Sequence, residues 1–158
     1  MARELAKRSL CTRDQVGALI IDSDGKVIGE GYNGPPRNYW HANQVCTAWC
    51  QRSQVGVDDA VFPETISRDY SDCPSLHAEA NALMMSDRTL RIGGTIYITS
   101  HVCMNCAKLI ANSGLKYVIV ETTEEHAHRR SDDAYAFIAR CSIHVSVNGR
   151  RVGATWAH

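Results

Sequence analysis

The chain has no excess of either charge: lysine and arginine number 17, and so do aspartate and glutamate. That balance argues against a general nucleic-acid binder, which needs a basic footprint, although a local basic cluster can still hold one phosphate. No apolar run approaches the length of a membrane span. The opening Met1-Ala2-Arg3-Glu4 lacks the apolar centre of a secretion signal. Seven cysteines are an odd number, which fits thiols and metal ligands in a reducing cytoplasm better than a disulfide scaffold. Internal repeats and low-complexity segments are also lacking. What is present is one domain's worth of chain: 158 residues, 44% hydrophobic and 22% charged, enough for a buried core.

The local pattern gives an order of elements. Ala2 to Leu10 reads as a short amphipathic helix with Leu5, Ala6 and Leu10 inward. Val16–Ile21 and Lys26–Tyr32 are apolar runs around Asp24-Gly25, a strong hairpin signal. Residues 38–74 form an insertion without clean periodicity, in which Trp40 and Trp49 are read as cover. A helix follows at His77, with Ser75 as its N-cap and Ala80, Leu83 and Met84 as its apolar face. Thr95–Thr99 is a strand. A helix from Cys103 continues through Leu109 and Ile110 to Gly114, a good residue to end it. Lys116–Glu121 is a strand, Asp132–Arg140 a helix with Tyr135, Phe137 and Ile138 partly inward, and Ile143–Val147 a last strand. Cys141 reads as core, and Trp156 in the tail as a residue for a subunit contact. A hairpin followed by βαβαβ predicts a three-layer α/β/α sandwich around a mixed five-stranded sheet.

The chemistry lies in His77-Ala78-Glu79 and Cys103-Met104-Asn105-Cys106. One imidazole and two thiolates are good zinc ligands, and three protein ligands leave a fourth position open, as in a catalytic site. Cys103 and Cys106 stand at i and i+3 and so share one face of a first helical turn. Both ligand sets fall at helix N-termini, where the macrodipole is positive and offsets the thiolate charge. Glu79 is the candidate general base for a water at the open position. On an ideal helix His77 and Glu79 point apart, so that first turn must be irregular. Alone, His-x-Glu is usually a solvated helix face, and Cys-x-x-Cys is as often redox-active or structural. Their occurrence together, in this order, favours catalytic zinc.

Several segments carry a resemblance. Gln15-Val16-Gly17-Ala18, Gly31-Tyr32-Asn33-Gly34, His77-Ala78-Glu79-Ala80-Asn81-Ala82 and Cys106-Ala107-Lys108-Leu109-Ile110 resemble the zinc-dependent cytidine and deoxycytidylate (dCMP) deaminases, from about Val16 to Val120. Two residues depart from that pattern: Val102 stands where a proline usually precedes the first cysteine, and His101 precedes it. The resemblance implies the cytidine-deaminase-like fold and hydrolysis of dCMP to dUMP and ammonia. Zinc would be held by His77, Cys103 and Cys106, with Glu79 moving the protons. It implies substrate contacts at Asn33, whose own reading is a turn residue, and at Ala78 and His101. Arg37, in the loop after Asn33, is a phosphate candidate because its guanidinium matches phosphate oxygens; Arg13 and Arg88 are others. It also implies a second, structural zinc at the insertion, with Cys11, Cys46, Cys50 and Cys73 as ligands and His41 in reserve. Such a site would supply folding energy to a loop with little core. A homo-oligomer, dimer or hexamer, with dCTP and dTTP as effectors is a further implication, as is a small-molecule substrate in the cytoplasm with no stable nucleic-acid or membrane partner. The competing readings are a deaminase of 5-substituted dCMP, guanine or adenine; a non-catalytic zinc-stabilised module; a redox protein using the two cysteines; and a regulatory subunit.

Overall fold

The computed structural model describes residues 1–39, 46, 73–123 and 131–152. Strands β1 (Gly17–Ile21) and β2 (Val27–Tyr32) form the hairpin at one edge of the sheet. Asp22 builds its turn. One carboxylate oxygen accepts from the backbone N–H of Asp24 at 3.0 Å and of Lys26 at 2.9 Å. Gly25 takes a φ of +85° there, a left-handed geometry that costs glycine little. Strand β3 (Thr95–Ile98) pairs antiparallel with the other side of β1. Strands β4 (Tyr117–Val120) and β5 (His144–Val147) continue parallel to it.

The five expected strands are all present, and a sixth joins them. Strand β6 (Arg150–Val152) pairs antiparallel with β5, giving the order β2-β1-β3-β4-β5-β6. It returns through Asn148 and Gly149, whose φ values of 48° and 77° are those of a two-residue hairpin turn.

Helices cover both faces. They are α1 (Ala2–Ala6), α2 (Ala78–Met84), α3 (Met104–Ala111) and α4 (Ser131–Arg140). Residues alternate across a strand, so one face collects Ala18, Ile20, Ile96, Ile98, Val118, Val120 and Val145. These are buried in one cluster with Ala82, Ala107, Ile110, Ala134 and Ile138 of α2, α3 and α4. Each fully buried isoleucine there contributes about 1.5–3 kcal/mol. Helix α1 packs on the opposite face, above Gly17.

Glycine contacts set how closely the helices approach. Gly17 faces the backbone of Ala2 and Ala6 in α1. Gly31 is paired with Ala18 and so faces the other way, onto the backbone of Ala78 and Ala82 in α2. A methyl group at Gly31 would strike the Ala78 carbonyl oxygen and the Ala82 nitrogen. The glycine therefore lets the helix that carries Glu79 lie directly on the sheet. Asn81 ties the same helix down, donating from Nδ2 to the Tyr32 carbonyl at 2.8 Å.

Some local expectations give way to tertiary contacts. Helix α1 stops at Ala6 instead of reaching Leu10, because Ser9 is drawn into the fold. Its buried hydroxyl donates to the Asn33 carbonyl at 2.8 Å. Ser75 does not cap α2. Leu76 pairs with Gly34 in an isolated bridge and keeps the chain extended up to His77, which becomes the N-cap residue. Met84 is exposed rather than inward; the buried face of α2 is Ala78, Glu79, Ala82 and Leu83. Cys141 is exposed, not core, because it lies just past the end of α4. Arg88 follows the C-terminal end of α2, the end away from His77. Of the insertion, residues 40–45 and 47–72 lie outside the described residues, and so does Trp156.

Gly31→Ala should lower stability by about 1–3 kcal/mol through overpacking, seen as a Tm fall of several degrees. Gly34→Ala, in the same four-residue motif, is the control. Its added methyl would meet only the Tyr32 ring, at 3.9 Å, and thermal melting should change little. Equal losses at the two positions would refute the close-approach account.

Candidate metal centre

Three ligand atoms converge where α2 and α3 begin. His77 is extended, with φ −74° and ψ 151°, and sits just outside α2. This resolves the phase problem read in the sequence: His77 leaves the helical path, so its ring and Glu79 need not share a helical face. Cys103 holds the equivalent place at α3, with φ −81° and ψ 162°. Its sulfur accepts the Cys106 backbone N–H at 3.5 Å, as an N-cap side chain does.

The ring nitrogen His77 Nδ1 lies 3.4 Å from Cys103 Sγ and 3.4 Å from Cys106 Sγ. A tetrahedral zinc with Zn–N near 2.0–2.1 Å and Zn–S near 2.3 Å would place such atoms about 3.5 Å apart. The three residues form the only group of three or more potential ligands among the described residues, with all ligand atoms within 4.8 Å of one another. The donor set therefore fits zinc by type, number and spacing.

The electrostatics point the same way. The Cys103 thiol is held down to about 3 by its hydrogen bond with Cys106, helped by His77 and the Cys106 backbone N–H, against the opposing effect of burial. Cys106 is pushed up by that same shared hydrogen bond, by burial and by the nearby Glu79 carboxylate. Glu79 itself is only 3% exposed. One thiolate forms readily, but a second beside a buried carboxylate needs a cation to compensate it. A divalent ion at His77 Nδ1 and the two sulfurs meets that need.

The other site residues separate into near and far. The bridge between Gly34 and Leu76 joins the Asn33 loop to the residue before His77, with N–H···O distances of 3.1 and 2.8 Å. Asn33 is a clamp in that loop. Its Oδ1 accepts the Val16 N–H at 2.8 Å and its Nδ2 donates to the Asp14 carbonyl at 2.7 Å. Among the described residues each of those groups makes one hydrogen bond of the two it can make. Ala78 is fully buried, and its N–H is the first of α2. Arg37 is exposed on the same loop and Arg13 is half-buried in the segment that Asn33 clamps. His101 is half-buried two residues before Cys103. Tyr135, read from the sequence as an ordinary inward residue of α4, brings its hydroxyl to 2.7 Å from His101 Nδ1. Helical spacing showed its burial and gave no sign of that polar role.

Of the proposed second-site residues, the structure brings two together. Thr12 N–H and Oγ1 lie 3.1 and 3.2 Å from Cys46 Sγ. The Cys11 thiol is raised first by burial and also by the adjoining Cys46, while the backbone N–H groups of Asp14 and Arg13 donate toward its sulfur. Cys73 is half-buried. His41 and Cys50 lie outside the described residues.

Residues 1–122 match the family described as the cytidine and deoxycytidylate deaminase zinc-binding region. The chain is 39% identical over 123 residues to the deoxycytidylate deaminase of Mycobacterium phage D29, covering 75% of this chain and 87% of that protein. It is 34% identical over 163 aligned positions to the human deoxycytidylate deaminase, covering 92% of this chain and 82% of that one. The crystal structure of the cyanophage S-TIM5 dCMP deaminase in complex with dCMP and dUMP shares the fold. Its TM-score is 0.65 at 23% identity, over 92% of this chain and 90% of that one.

Cys106→Ala should lose one equivalent of zinc, measured by elemental analysis of the purified protein, because two ligands hold a catalytic metal poorly. Glu79→Gln should keep that equivalent, since the carboxylate is outside the ligand set. Loss of the metal in both variants would place Glu79 among the ligands.

Proposed function

This chain belongs to the cytidine and deoxycytidylate deaminase family, and we propose that it hydrolyses dCMP to dUMP and ammonia. One observation carries the reading: a buried carboxylate, Glu79, adjoins a three-residue zinc ligand set. Three protein ligands fit an open, catalytic site rather than a closed structural one. When bound, zinc supplies a Lewis acid that brings the pKa of water toward about 7.

The remaining steps belong to this chain's own residues. Glu79 takes a proton from the attacking water and delivers it to N3 of the cytosine ring. The water oxygen adds at C4. Glu79 then takes the remaining proton of that oxygen and passes it to the exocyclic amine, which leaves C4 as ammonia while the C4–O bond becomes the carbonyl of the uracil base. The enclosure of Glu79 keeps bulk water from competing for that proton.

Substrate placement follows from the loop that the Gly34–Leu76 bridge holds beside His77. In this proposal Asn33 spends its remaining hydrogen-bonding capacity on the deoxyribose. The Ala78 N–H, at the start of α2 with no partner four residues back in the helix, meets a pyrimidine oxygen. Arg37 reaches the 5′-phosphate, with Arg13 the alternative, and His101 borders the base. Exposed Met84, Met85 and Leu109 give the proposed homo-oligomer an apolar surface to cover; dCTP and dTTP as effectors and a cytoplasmic setting belong to the same proposal. No helix among the described residues is long and apolar enough to cross a membrane.

The proposal includes the second, structural zinc. Cys46 accepts the Thr12 N–H and Cys11 faces those of Asp14 and Arg13, donors of the kind that stabilise thiolates, and the remaining ligands would come from Cys73, Cys50 and His41.

Ammonia release from dCMP, deoxycytidine and guanine tests the activity. The kcat/KM for dCMP should exceed that for deoxycytidine by roughly ten- to hundredfold, the size of one charge-assisted contact. The gap should narrow as salt rises. Glu79→Gln should lower turnover by roughly 10²–10⁴ with zinc retained. Equal kcat/KM for dCMP and deoxycytidine at low salt would move the chain to nucleoside chemistry.

Metal analysis tests the second site. Wild-type protein should hold two zinc ions, one resistant to mild chelation, and Cys46→Ser should lose that one and melt earlier. A single zinc per chain, with Cys11 and Cys46 both open to alkylation in the native protein, would eliminate it.

A further inference from the structure

His101 and Val102 are the two residues that depart from the family pattern in front of Cys103, and the proton transfers of the proposed deamination use neither. Both lead to Tyr135. The Tyr135 side chain is 3% exposed, on α4, which packs against α3. Its hydroxyl lies 2.7 Å from His101 Nδ1, and the two rings tilt at 46° with centroids 6.0 Å apart.

The phenol oxygen has further neighbours. The Val102 backbone N–H and the Ser131 hydroxyl both donate toward it. A proline at 102 would have no N–H to offer, so this contact exists only because of the departure. The side chain of Val102 is itself fully buried, so the turn is held from both sides. Burial pushes the Tyr135 phenol up to about 12, which keeps its proton in place at ordinary pH.

A hydroxyl has one proton and two acceptor positions. The Val102 N–H can only donate, so an arrangement in which the phenol accepts there and gives its own proton to His101 satisfies all three groups. In that arrangement Nδ1 accepts, and a neutral imidazole that accepts at Nδ1 carries its hydrogen on Nε2. The Glu79 carboxylate is close enough for its charge to be felt at Tyr135.

We propose that Tyr135 is a positioning residue: its hydroxyl holds the His101–Val102 turn in front of Cys103, in place of a proline, and sets His101 as an Nε2–H donor at the border of the site. A proline restrains such a turn through its ring; here a buried hydrogen-bond hub does so and adds an oriented imidazole. The kinetic part of the inference rests on the deaminase reading, while the tautomer does not.

Long-range ¹H–¹⁵N spectra of the zinc-loaded enzyme read the tautomer directly. The His101 ring in the wild type should show protonated Nε2 and unprotonated Nδ1, and Tyr135→Phe should produce a mixture. In parallel, Tyr135→Phe should lower kcat/KM for dCMP by roughly 3- to 10-fold with zinc content unchanged, the value of one neutral hydrogen bond. Most of that loss should be absent in a His101→Ala background, because the two residues act as a pair. An Nδ1–H tautomer in the wild type would overturn the inference, and so would full activity in Tyr135→Phe or strictly additive losses. Should Tyr135→Phe fail to fold, the wild-type tautomer decides the matter alone. Should dCMP turnover prove absent altogether, the tautomer still tests Tyr135 and the deaminase reading fails separately.

Discussion

Cys103, Cys106 and Glu79 bring three potential negative charges into a place that water barely reaches, and such a cluster is stable only around a cation. The surrounding structure answers that demand. Two helices start at the cluster, so their positive ends add to the compensation. His77 contributes a neutral nitrogen rather than a further charge. The low Cys103 and raised Cys106 show the conflict among the side chains, and a divalent metal resolves it by taking both thiolates. The same enclosure suits the role proposed for Glu79, because a carboxylate shielded from bulk water can hand on the proton it takes.

Convergence of the ligands depends on how tightly the helices lie on the sheet. Helix α2 rests on β2 at Gly31 with its backbone, not its side chains. The Gly34–Leu76 bridge then keeps the preceding residues extended, so that His77 turns away from the helical path and toward the cysteines. Strands β3 and β4 run parallel on either side of α3 in sequence, which puts the start of α3 just after the end of β3, next to the start of α2. The glycine, the bridge and the crossover are one device seen at three scales. Each fixes where a helix begins.

Where the chain leaves the family pattern, it replaces one restraint with another. Valine at 102 gives up the fixed ring of a proline but gains an N–H, and Tyr135 uses it. The gain extends to His101, whose ring is held by the same hydroxyl. A turn beside a metal ligand thus comes to depend on α4, the helix furthest along the chain. This links the packing of the C-terminal half to chemistry that the N-terminal two thirds carry.

The zinc ligand set and the first five strands could be read from the chain because each is written locally. His-x-Glu and Cys-x-x-Cys keep their spacing in any fold, and β-branched runs separated by amphipathic segments leave few ways to build a sheet. The ends of the elements were another matter. Ser75 carries the local chemistry of an N-cap, yet pairing of Leu76 with Gly34 moved that role to His77. Leu10 fits a helix, yet the reach of Ser9 to Asn33 stopped it four residues earlier. Met84 is apolar and faces outward, because the close glycine contact lets α2 bury alanines instead. Tyr135 is separated from His101 by 34 residues, and no pattern along a chain records which distant hydroxyl will face a histidine. The sequence by itself determined the ligand set and its chemistry, since those depend on residue type and short spacing. Only the tertiary structure decided where His77 leaves its helix and what holds the turn before Cys103, since both are settled by hydrogen bonds between residues far apart in the chain.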